Sequence, residues 1–214
     1  MTVPRAKETR ISSKEALKMI YYVIIGLAIT EALNRTLPRI VAIVRAFLTL
    51  QWPQIFALDN SSSIILLLAL LPTICRFVHG ASIHLDIYSE KRYKPLGDFI
   101  GFFFQSSVFY LMAASLDSPL VFSFFFCLVL LGDAIWLISL ISARYIKCEM
   151  PTKQWLWSDI VIIIALVTVF VIDRTMAGVM SVMAILTIAL VATILDYFLN
   201  KDFYFPSPKG HDSA

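Results

Sequence analysis

Apolar residues gather in six runs, near 17–37, 61–79, 97–116, 119–143, 157–173 and 175–199. A hydrocarbon layer about 30 Å thick needs about 20 helical residues to cross it, and the runs are of that order. The second is the weakest, because Pro72 and Arg76 interrupt it. Only Asp173 and Arg174 divide the last two, a charged pair suited to a tight turn at a membrane surface. The pattern predicts an all-α, polytopic transmembrane helical bundle of about six spans. The segment 38–52, PRIVAIVRAFLTLQW, fits that scheme least well, being short and charged for a span. It reads as an interfacial helix on the outer face, since short amphipathic stretches with arginine on one side lie among headgroups. A re-entrant piece and a kinked continuation of the first helix past Pro38 are the rival readings. They keep five and seven spans open.

Charge tests the count. With the N-terminus inside, Arg5, Lys7, Arg10, Lys14, Lys18, Arg76, Lys91, Arg92, Lys94, Arg144, Lys147, Lys153, Lys201 and Lys209 fall on the inner side. Arg35, Arg39, Arg45 and Arg174 fall outside, so the excess of inner cations has the sign that the positive-inside rule requires. Residues 1–18 then form a basic cytoplasmic segment and a retained signal-anchor start. Residues 19–199 are the transmembrane domain, and 200–214 a short, disordered cytoplasmic tail. Trp155, Trp157 and Tyr197 read as interfacial anchors.

Composition agrees. Hydrophobic residues make up 59% of the 214 and charged residues 15%, and mean hydropathy is +0.80. Soluble domains are nearer 45–50% apolar and about 25% charged. A net charge of +3 is too small to argue for nucleic acid, and none is expected. Cys75, Cys127 and Cys148 lack CxxC spacing and read as small hydrophobes. Gly26, Ala28, Thr30 and Ala32, and later Ala177, Ser181 and Ala184, recur at intervals that permit close helix contact.

Candidate chemistry concentrates at the inner end of the second span, from Arg76 to Tyr88. Charge inside a membrane costs several kcal/mol, so Arg76 needs a partner. At about 1.5 Å per helical residue, Arg76 and Asp133 both lie roughly 21 Å below the outer ends of their helices. Gln105 arrives near the same level. An Arg76–Asp133 ion pair supported by Gln105 is therefore expected, with His79 beside it, either as polar glue or as the lining of a cavity. His84, Asp86 and Tyr88 form an inner-interface segment. His79 and His84 lie about 140° apart on a helix, and His79 and Asp86 about 10 Å apart along it. No metal is expected unless the helix ends at Gly80 and folds back, and no cofactor is expected. Glu31, an acid in the outer half of the first span, stands one turn before Arg35 and reads as its ion-pair partner.

The chain contains no GxxxxGK[ST] loop, HExxH, GxSxG or TVGYG-like filter. These features point to a non-enzymatic integral membrane protein of the cell or inner membrane that acts by helix association. It would be an oligomeric sensor, effector or channel-like component. Its expected partners are the lipid bilayer, further copies of itself and a cytoplasmic protein. The rival is a small transporter or membrane-embedded enzyme with a polar inner-leaflet cavity around Arg76, His79 and Asp133.

Overall fold

The computed structural model describes residues 13–50, 58–92, 95–142, 150–173 and 179–205. Six long helices follow one another: α1 (Ser13–Leu48), α2 (Leu58–Arg92), α3 (Pro95–Ala114), α4 (Pro119–Ser142), α5 (Met150–Asp173) and α6 (Val179–Leu199). A single turn, α7 (Lys201–Tyr204), closes the described chain. All six long helices have the length and apolar content to cross a membrane. The fold is a six-span helical bundle.

Proline marks several of the starts. Pro95 and Pro119 open α3 and α4, where the missing N–H is one the helix does not need. Contacts run α1–α3–α4–α5–α6–α2 and back to α1, a closed ring in which α2 also touches α3 and α4. α2 is accordingly the most enclosed span. The core is continuous, with Leu66, Leu70, Phe77, Phe109, Met112, Phe122 and Leu130 among its fully buried members.

Residues 38–48, expected as a separate interfacial helix, instead continue α1 through Pro38. Proline is tolerated inside membrane helices where neighbours satisfy the freed backbone groups. Here one flanking side chain bonds back within α1 and another reaches the rest of the bundle. The Thr36 hydroxyl donates to Ala32 O at 2.8 Å, and Arg39 is bonded to Ser63 of α2 and to Asp117 in the α3–α4 turn. At 36 residues α1 is about 54 Å long, well beyond the hydrocarbon thickness. It ends at Leu48, and Leu50 in the turn that follows has a left-handed φ of 56°. Residues 51 and 52 lie outside the described residues.

α2 likewise runs unbroken through Gly80. The Trp155 indole of α5 occupies the space where a Cβ on Gly80 would stand. Trp155 is therefore buried, not an interfacial anchor, whereas Trp157 is exposed. On α1, Ala28 and Ala32 face the core and Gly26 faces outward. On α6 the core line is Val182, Ile185, Ala189 and Ala192. Ala184 is half-buried, and the side chains of Ala177 and Ser181 lie outside the described residues.

Candidate functional site: a buried charge hub

Arg76 is drawn into the centre of the ring by α2 and is 2% exposed. Its Nη2 donates to Asp159 Oδ1 of α5 at 2.8 Å, and its Nε donates to Asp196 Oδ2 of α6 at 3.1 Å. Both carboxyls are fully enclosed. Asp196 gathers two further donors: Asn200 Nδ2 at 2.8 Å and the Tyr204 hydroxyl at 2.5 Å. Asp196, Asn200 and Tyr204 stand four residues apart, so one face of α6 carries on into α7. Burial, followed by the Asp196 carboxylate beside it, pushes the Tyr204 phenol well above its ordinary range. It stays protonated and donating.

The second half of the hub lies on α1, α3 and α4. The Tyr21 hydroxyl donates to Gln105 Oε1 at 2.8 Å, and Gln105 Nε2 donates to Asp133 Oδ1 at 3.3 Å. The Asp133 carboxyl is in turn within hydrogen-bonding reach of Asp159. Every helix of the bundle thus contributes at least one side chain to one connected polar network.

The expected Arg76–Asp133 ion pair is corrected by this geometry. α2 packs on α6, and α5 stands between α6 and α4 in the ring. Arg76 therefore meets Asp196 and Asp159, while Asp133 joins through Gln105 and Asp159. His79 sits at the edge of the hub. Its Nδ1 lies 3.1 Å from the Tyr197 hydroxyl, and its ring centroid lies 4.8 Å from that of Tyr204.

His84 and Asp86 diverge from His79 along the unbroken α2. His84 Nε2 lies 3.6 Å from Asp98 Oδ1 in the first turn of α3, with the Trp136 ring against it. Asp86 pairs with Lys14 at 2.9 Å and Lys18 at 2.7 Å on α1. The fold-back at Gly80 that a metal site needed does not occur. Among the described residues no three ligating side chains converge in a way that could hold a metal ion. Tyr88 lies near the end of α2, and its side chain is outside the described residues.

At the opposite end of the bundle, Glu31 accepts from Arg35 Nε at 2.6 Å, and Arg35 and Arg39 converge on Asp117. This knot ties α1 to the α3–α4 turn. It is half-exposed and has the character of a structural clasp.

The expected free tail is also revised, for Asn200 and Tyr204 are buried and belong to the hub. Residues 206–214 lie outside the described residues. Tyr21, Asp159, Asp196, Asn200 and Tyr204 are the hub members that sequence reasoning missed. No family model, curated protein or solved structure matches the chain.

Proposed function

We propose that the protein is a non-enzymatic membrane protein that acts by helix association, as an oligomeric sensor, effector or channel-like component, with the hub latching the bundle. The observation that carries this reading is the double role of α5. It supplies Asp159 to the hub, yet only 22% of its most apolar stretch is inside the bundle, against 56% for α2. Its outward face borders a groove of about 470 Å³ shared with α6, lined by Trp157, Val161, Thr187, Val191 and Leu195 among others. The Arg76–Asp159 contact and that face are thus carried by the same helix.

The rival transporter or enzyme needs substrate-sized space at the hub. The cavity beside Asp133 measures about 10 Å³, room for about one water. The cation asymmetry of the loops supports cytoplasmic N- and C-termini, and a cytoplasmic partner meeting the basic inner loops.

Cross-linking in native membranes tests the reading. In a cysteine-free background, Val161→Cys and Val191→Cys should each give covalent dimers on oxidation. Phe124→Cys, on the outward face of α4, should not. Arg76→Leu should weaken the first two. Equal yields at all three positions, or none, would sink helix association by this face. For orientation, cysteines placed in 89–94 should be shielded from an impermeant thiol reagent added to intact cells. Labelling there reverses the topology.

A further inference from the structure

The hub contains one guanidinium and three carboxyls. Asp196 accepts three hydrogen bonds and balances Arg76. Asp159 and Asp133 each use one oxygen, taking Arg76 Nη2 and Gln105 Nε2 respectively. The other oxygen of each, Asp133 Oδ2 and Asp159 Oδ2, is buried with no hydrogen-bond donor among the described residues. The two carboxyls are nevertheless within hydrogen-bonding reach of each other. Acceptor faces acceptor at the centre of an apolar bundle. Two carboxylates so placed do not both stay ionised.

We propose that Asp133 and Asp159 form a proton-binding site, an acid–carboxylate pair that takes one proton from water through the cavity beside Trp136. On binding, one O–H bond forms on either carboxyl, the other stays a carboxylate and accepts from it, and the hub gains one positive charge. Both orphaned oxygens are then satisfied.

A proton fits better than a metal cation. Hard cations collect six or more oxygen ligands, whereas two free oxygens are offered here, with the Arg76 guanidinium beside them. The entry side is built to match. Gly101, Gln105, Gly132, Asp133 and Trp136 line the water-sized cavity. A Cβ on Gly132 would collide with the Phe104 ring, and one on Gly101 would come within 3.0 Å of the Trp136 ring. Trp136 Nε1 is itself a buried donor with no acceptor among the described residues.

The groups facing the pair from the surrounding helices are Tyr21 of α1, Arg76 of α2, Gln105 of α3 and Asp196 of α6, with Tyr204 of α7 behind Asp196. His84 and Asp98 stand beyond Trp136. The site rests on the α4–α5 contact within one chain and does not depend on association between copies. Failure of the cross-linking above leaves it standing.

Infrared difference spectroscopy of the full chain in detergent, recorded across a pH step, tests the proposal. The wild-type protein should show a carbonyl stretch from a protonated carboxyl that shifts in heavy water. It should shift again when aspartate is ¹³C-labelled, which identifies the group without any substitution. Asp133→Asn and Asp159→Asn should each abolish or shift the band, and Asp117→Asn, at the far end, should leave it. The thermal midpoint should not rise when sodium replaces choline. Absence of the labelled band in wild type, its persistence unshifted in both Asn variants, or its displacement by sodium would overturn the assignment.

Discussion

Tyr204 closes the hub from outside the six spans, and its hydroxyl is the simplest handle on it. Hydrogen bonds to charged groups contribute about 1.5–3 kcal/mol. Tyr204→Phe keeps the ring against His79 and Trp155 and removes only the donor to Asp196. Because Asp196 retains Arg76 and Asn200, the loss should fall at the low end, read as a lowered thermal midpoint in detergent. The pH dependence has a definite sign. The folded phenol lies above its ordinary value of about 10. Its stabilisation is therefore complete below that pH and is lost as pH climbs past it toward the folded value. Tyr204→Phe should flatten that alkaline limb, and an unchanged limb would mean Tyr204 is not its source. Arg76, Gln105 and Asp133 were legible because depth follows from counting residues along a helix. Their partners were not, because azimuth around the ring is set by which helices are neighbours. Asp159 and Asp196 lie near the ends of their apolar runs, where an acidic residue gives no signal of burial. A signal did exist: the buried line 182, 185, 189 and 192 on α6 carries on to 196, 200 and 204.

Two helices are longer than their apolar runs suggested, for related reasons. Pro38 and Gly80 are breakers by local propensity, with interior glycine costing about 1 kcal/mol and proline about 3 kcal/mol. Tertiary contact overrides both. Arg39 finds Ser63 and Asp117 just past Pro38, and Gly80 is the notch that admits Trp155. Neither partner is near in sequence, so neither override was readable from the residues alone. The spans themselves were readable, since six apolar runs of sufficient length have few other ways to be satisfied. The notch makes a specific demand. Gly80→Val should drive its side chain into the buried indole, and overpacking of that kind typically costs about 1–3 kcal/mol. Trp155→Ala opens a cavity, yet combined with Gly80→Val it should melt above Gly80→Val alone. A double variant no more stable than that single would show that α2 and α5 do not interlock at this point.

At the scale of the whole molecule, the hub ties the ring together through charge that hydrocarbon alone would disfavour. Breaking a buried ion pair by removing one member typically costs about 3–5 kcal/mol. In a membrane the figure is smaller where the survivor can reach water or take a proton. Arg76→Leu strands two carboxyls at once, on α5 and α6, and should lower both accumulation in the membrane and the thermal midpoint. The ring order predicts which second changes repair it. Adding Asp159→Asn and Asp196→Asn removes the stranded charge while keeping acceptors for Asn200 and Tyr204, so the triple variant should accumulate better than Arg76→Leu alone. Adding Asp133→Asn should give no such rescue, because Asp133 is held by Gln105 and not by the guanidinium. Counting depth along the helices makes Asp133 the partner; the neighbours in the ring make Asp159 and Asp196 the partners. Rescue by Asp133→Asn equal to that of the other two would return the pairing to Asp133 and break the order α2–α6–α5–α4 on which the hub is built. Rescue confined to Asp159 and Asp196 would place the latch between α2, α5 and α6, leaving α4 to meet it through the second carboxyl oxygen of Asp159.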